Sequence, residues 1–149
     1  MKNIILAHVL VCIFIFTMLA VTNPFLVFLF FFMTLIIYIY SGFITIIKDN
    51  KKIKYCILGL IGIIFFIASL IISPNQLPNK NIESSYVWTG MQLYLFPFEW
   101  PLFTIFPNFL KYPSFIERTG FYLIEIIIIG ILPLLGALLR ERLQSSKIR

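Results

Sequence analysis

The sequence predicts an all-α integral membrane bundle of four transmembrane helices, with an aromatic, proline-rich interfacial segment on its outer side. Three observations predict it. Charged residues are confined to a few short stretches, four apolar runs of about membrane length lie between them, and Lys and Arg alternate between rich and poor sides from one gap to the next. With 60% hydrophobic residues and a mean hydropathy of +0.99, the chain has too little polar surface to cover a water-facing globule. Residues 1–149 therefore read as a single membrane domain, with spans at about 4–22, 25–47, 53–73 and 119–139 and an outer segment over 74–118.

Each run is close to the roughly 20 apolar residues that a helix needs to cross a core of roughly 30 Å. The first two runs are separated only by Asn23 and Pro24. As one unbroken helix, Ile4 to Ile47 would reach about 66 Å, more than twice the core, so the chain must reverse there. Asn-Pro initiates turns, and Pro24 disfavours helical geometry at Asn23, so a tight helical hairpin is expected. Lys2 ahead of an apolar run is reminiscent of a secretory signal, but the run exceeds the h-region of about 7 to 15 residues.

The third span follows a basic loop, Lys48 to Lys54. The fourth is announced by Ser114 and Glu117, which fit a capping box and place the helix start near Phe115. Pro133, between Gly130 and Gly136, removes one backbone hydrogen bond and predicts a kink.

Twelve Lys and Arg stand against six Asp and Glu. Nine of the twelve fall at Lys2, between runs two and three, or after run four, so the positive-inside rule places both termini in the cytoplasm of a multi-pass plasma-membrane protein. The basic excess is thus topology, with anionic headgroups at the cytoplasmic face as its partner rather than nucleic acid. Neither the short loop nor the tail from Arg140 can hold a catalytic domain.

The outer segment has two parts. Pro74 to Ser85 is rich in Pro, Asn and Ser and reads as an aqueous connection. Beyond it, rings that include Tyr86, Trp88, Tyr94 and Trp100 are interrupted by Pro97, Pro101, Pro107 and Pro113. Prolines this close argue against a continuous spanning helix, yet the stretch is too apolar for water. Short helical turns at the outer headgroup level satisfy both constraints, and an element packed among the helices is the alternative. As an outer aromatic surface it anchors the bundle, or recognises a peptide, a lipid or a partner membrane protein.

Inside the runs, Glu125 is the one acidic residue. It is placed about 6 Å outside the midplane, where a carboxylate costs up to about 2.5–3.5 kcal/mol and calls for a partner or a proton. Thr17, Thr34 and Ser69 lie at comparable depth as hydrogen-bond donors. One reading makes Glu125 a proton or cation site in a transport path, or a clamp against a second protein. The other makes it a neutral group bonded to Thr and Ser, or one snorkelling outward. His8, the sole histidine, is on the opposite side of the midplane by roughly 13 Å, with Tyr40 at its own depth as the expected partner. Cys12 and Cys56 differ in depth by about 9 Å, too far for a disulfide, and read as inert thiols. His8 and Cys12 share a helix face but lack a third catalytic group.

No zinc motif, nucleophile elbow or Walker loop is present, and no metal or cofactor is implied. Gly59 and Gly62 miss the GxxxG spacing and predict close packing only in general terms. The expectation is a small non-enzymatic accessory, regulatory or protective protein that acts through contacts within the membrane, with a membrane-protein partner or as a homo-oligomer. A transport or channel component using Glu125 is the alternative, and an intramembrane enzyme comes third.

Overall fold

A computed structural model describes residues 1–18, 23–46, 52–72, 86–105 and 115–146, and within these the side chains except those of residues 86, 87, 103 and 115–118. The described residues form five α-helices and one short 3-10 helix, without a strand among them. The helices are α1 (Lys2–Thr17), α2 (Pro24–Ile44), α3 (Ile57–Ile72), α4 (Tyr86–Ile105) and α5 (Phe115–Ser146), with the 3-10 turn Lys52–Cys56 leading into α3.

Three helices are long and apolar enough to cross a membrane: Pro24–Ile44, Lys52–Ile72 and Thr119–Ser146. This makes a multi-pass membrane protein. The first run, expected as a full span, gives a helix of 16 residues, or about 24 Å at helical rise. It falls short of the bilayer core by itself, and residues 19–22 lie outside the described set.

The Asn23-Pro24 break is built as the sequence requires. Asn23 Oδ1 accepts from the N–H of Phe25 at 3.0 Å and of Leu26 at 3.4 Å, while Pro24 occupies the first helical position, where its missing N–H costs nothing. From there α2 returns antiparallel to α1. Phe14 meets Phe30, and deeper in the pair His8 meets Tyr38.

Glycines set how closely α5 approaches its neighbours. A methyl group on Gly42 would collide with the backbone of Pro133, and one on Gly136 with the backbone carbonyl of Ile39. The two helices run parallel, backbone against backbone. On α5's other side, α3 runs antiparallel, and a methyl group on Gly59 would come within 3.0 Å of Gly130 Cα. The expected packing by glycine is therefore specific and works across helices, which a search for GxxxG along one helix does not detect.

At one end of the bundle the turn after α2 is fastened to α5. Arg140 donates to the carbonyls of Phe43 (3.1 Å) and Thr45 and to the hydroxyl of Tyr55 (3.0 Å), which itself donates to Thr45 O at 2.9 Å. The planar guanidinium thus occupies carbonyls that the end of α2 leaves open. Lys52 and Glu141 add an exposed ion pair at 3.0 Å, worth at most about 1 kcal/mol.

The burial pattern is inside-out. Leu6, Leu10, Phe25, Ile36, Ile64 and Ile71 face outward, whereas His8, Thr34, Ser41, Ser69, Glu99 and Glu125 are buried. A water-soluble fold would reverse this, because exposed apolar area and buried polar groups are both unfavourable in water.

The described part of the proline-rich stretch forms one helix, α4, rather than the expected series of short turns, while Pro107 and Pro113 lie outside the described residues. Pro97 and Pro101 stand four residues apart on one buried face, so the two lost backbone bonds, to the carbonyls of Leu93 and Pro97, fall on one side of the helix. Trp88, Met91, Leu95 and Phe98 recur at helical spacing and are essentially inaccessible. Trp88 stacks on Tyr122 and meets Phe66 edge-on, while Phe96 touches Phe16 and Phe98 packs on Phe31 and Tyr38. The helix therefore crosses the interior from the α3–α5 side to the α1–α2 side.

Candidate functional site

Apart from the Thr45–Tyr55–Arg140 group at the end of α2, two clusters of buried polar side chains include a residue of α4. The first is centred on His8. Its Nδ1 lies 2.6 Å from the hydroxyl of Tyr38, and Cys12 Sγ lies 3.8 Å from Nε2, one helical turn along the same face. Either neutral tautomer satisfies both contacts: the phenol donates to Nδ1 with the Nε2 proton directed at the sulfur, or Nδ1–H donates to the phenol oxygen and the thiol donates to Nε2. Tyr94 of α4 closes the cluster, with its ring 4.6 Å from the imidazole and its hydroxyl donating to Leu58 O.

The expected partner of His8, Tyr40, is replaced by Tyr38. Tyr40 is exposed and lies parallel to Phe43. Two residues turn a helix by about 200°, so the two tyrosines share a depth but occupy opposite faces.

The second cluster is centred on Glu125, which is 3% exposed. Its Oε2 has no hydrogen-bond partner among the described residues. The donors expected from depth are engaged elsewhere: Thr17 donates to Phe14 O at 2.6 Å and Ser69 to Phe65 O at 2.8 Å, each within its own helix. Thr34 is buried, as expected. The residue that does come within electrostatic range is Glu99 of α4, itself 8% exposed. The approach follows from one α4 face, since Trp88 and Gln92 lie against Tyr122, with Gln92 Nε2 at 3.5 Å from its hydroxyl. Glu99 follows seven residues, or two turns, beyond Gln92 on that face, and Glu125 follows Tyr122 by nearly one turn on α5.

Sequence reasoning passed over Glu99 because its segment was assigned to the outer surface. The available signal was its isolation, as the lone acid between Tyr86 and Phe115 and one flanked by Pro97 and Pro101. Of the outer aromatic surface, Trp88 is fully buried, and Tyr94 and Trp100 are partly buried core neighbours. These three rings are interior packing rather than an exposed face. The side chains of Tyr86 and of the capping pair Ser114 and Glu117 lie outside the described set, and α5 is helical from Phe115, the first residue described in that segment.

Both thiols are free. Among the described residues no group of three His, Cys, Asp or Glu side chains is gathered to hold a metal ion. A groove of about 440 Å³ between α1 and α2 is lined chiefly by apolar side chains such as Leu6, Leu10, Val11 and Ile37, which supply no acid, base or nucleophile. The interior thus offers a hydrogen-bonded imidazole at His8 and a buried carboxyl oxygen without a hydrogen bond at Glu125. No known protein family, curated protein or solved structure matches the chain.

Proposed function

We propose that this is a four-span plasma-membrane protein with both termini in the cytoplasm, acting as a non-enzymatic accessory, regulatory or protective factor through contacts within the bilayer. The observation that carries the reading is the inside-out burial pattern, in which large aliphatic and aromatic side chains cover the outside of every span. Such a surface is fitted to lipid and to other membrane helices. The contacts of α1 along α2, from His8 to Phe14, support counting α1 as the fourth span despite its length. Basic residues on the α2–α3 loop and the tail after Arg140 support the orientation and an attraction to anionic headgroups. A partner membrane protein or a second copy of the chain would meet the lipid-facing sides. The test is complementation of a chromosomal deletion. Alanine at Leu6, Leu10 and Ile13 together is expected to abolish rescue, whereas Glu125→Gln retains it, and the opposite pattern overturns the reading.

A second reading, a transport or channel component using Glu125, is favoured by the unpaired Oε2 in the interior. It predicts proton or ion flux in liposomes that Glu125→Gln abolishes. Flux equal to that of empty vesicles sinks it.

A further inference from the structure

The groove of about 440 Å³ between α1 and α2 has the buried Ala7, Val11 and Ser41 along its floor and the exposed Leu10 and Ile37 at its rim. It runs from Asn3 and Ile44 to Phe14, whose ring meets Phe30 edge-on. From Asn3 to Phe14 the helix rises about 16 Å, close to the roughly 15 Å of hydrocarbon in one leaflet. Spread over that length, the volume corresponds to a cross-section of about 27 Å². A helix about 10 Å across needs roughly 80 Å². The trough therefore has the width of one extended hydrocarbon chain and is too narrow for a helix of a partner or of a second copy.

Its Asn3 end is polar and basic. Ile44 adjoins Thr45, whose carbonyl accepts from Arg140, so the groove opens at the end of the bundle where the described charged side chains are Lys2, Lys52, Lys54, Arg140 and Arg142 against Glu141. Glu141 is already paired with Lys52. Ser41 is committed to Tyr38 O at 2.7 Å, but the donors of Lys2, Asn3 and Tyr40 have no hydrogen-bond partner among the described residues. Tyr40 stands one turn before the end of α2, at the depth where a tyrosine hydroxyl meets headgroups. An apolar trough one leaflet long that opens onto a cation and two neutral donors is complementary to an amphiphile with a hydrocarbon tail and an anionic phosphodiester head.

We propose that the α1–α2 groove is a specific site for one anionic phospholipid of the leaflet at the basic end, the cytoplasmic one in the topology proposed above, with an acyl chain in the trough and its phosphate at Lys2, Asn3 and Tyr40. The inference rests on the proposed place of α1 in the bilayer, and it replaces a diffuse attraction to anionic headgroups by one built site.

The experiment places the full chain in phosphatidylcholine nanodiscs and titrates in phosphatidylglycerol that carries a photoreactive diazirine in one acyl chain. A parallel series uses phosphatidylcholine with the same tail, and labelled peptides are mapped by mass spectrometry. The phosphatidylglycerol probe is expected to label the stretches Leu6 to Phe14 and Ile37 to Ile44 saturably and to be displaced by unlabelled phosphatidylglycerol, while the phosphatidylcholine probe labels in proportion to its mole fraction. Lys2→Gln is expected to raise the half-saturating fraction about fivefold. Ala7→Phe, which fills the floor, and Leu10→Trp, which closes the rim from an exposed position, each remove the saturable component while helicity and elution volume stay at the wild-type value. Leu60→Trp, on the exposed side of α3, leaves it intact. Labelling by both probes in simple proportion to their mole fractions shows ordinary surrounding lipid only and overturns the site. Saturable labelling that survives both Ala7→Phe and Leu10→Trp also overturns it, as does a dimer whose groove peptides stay unlabelled, which puts a second copy there. If α1 takes no label from either probe, its place in the bilayer fails together with the site, whereas non-saturable labelling of α1 overturns the site alone.

Discussion

His8 shows what depth alone can and cannot specify. Counting residues along two antiparallel spans placed a tyrosine hydroxyl opposite the imidazole, and one is there at 2.6 Å. Which tyrosine was passed over although the signal was there: Thr34, Tyr38 and Ser41 recur at spacings of four and three along α2 and are all buried, and that stripe puts Tyr38 inside and Tyr40 outside. The consequence is measurable. Tyr38→Phe leaves a buried ring nitrogen unpaired and is expected to cost about 1–3 kcal/mol, whereas Tyr40→Phe stays within about 0.5 kcal/mol, as read from unfolding in mixed micelles. Equal effects would place His8 elsewhere. Trp88 gives the second residue-scale prediction. Its full burial implies a loss of about 3–5 kcal/mol on replacement by Ala, against a far smaller loss if the ring merely anchored an outer surface. Glu99 shows the opposite limit, since an acid among aromatic residues is equally compatible with a headgroup position and an interior one. Only the packing of α4 distinguishes them.

At the scale of elements, hydropathy located the helices well and joined them incompletely. The second span was expected over 25–47 and is helical over Pro24–Ile44, and the span expected over 119–139 lies within the helix Phe115–Ser146. Hydropathy carries no information on which glycine meets which backbone, so the α2–α5 contact emerged only in three dimensions. Gly42→Ala or Gly136→Ala is expected to force the two helices apart at a cost of about 1–3 kcal/mol. Gly90→Ala makes the control. A methyl group there meets nothing within 4 Å, and its reduction of unfolded-state freedom is expected to stabilise the protein by about 0.4–1 kcal/mol. α4 was the element misread. The rule against proline in a helix assumes that a broken ladder is costly, but prolines four apart lose their two bonds on one side, and the buried rings around them supply the compensating contacts.

For the whole molecule, the charge pattern predicts which compartment each connection faces, and the structure adds which connections lie together. Arg140 and Glu141 of α5 are bonded to the segment Phe43–Tyr55, so the end of α5 and the α2–α3 turn occupy one end of the bundle. A cysteine at Ser145 is accordingly expected to react with an impermeant maleimide only after the cells are permeabilised, whereas one at Lys80 reacts in intact cells. Labelling at Ser145 from outside would invert the topology. The class of fold was legible at this scale because the solvent determines it: a chain with so few charges has few ways to be folded in water.

The interior position of α4 also bears on how the protein is made. Trp88 is enclosed by Phe66, which leaves the ribosome before it, and by Tyr122, which leaves after it. α4 therefore cannot complete its burial when it is synthesised. It has to be held, at the insertion machinery or against the partly assembled α1–α3, until α5 arrives. A nascent chain stopped before Phe115 would leave Trp88 without Tyr122, so the burial of α4 waits on the synthesis of α5.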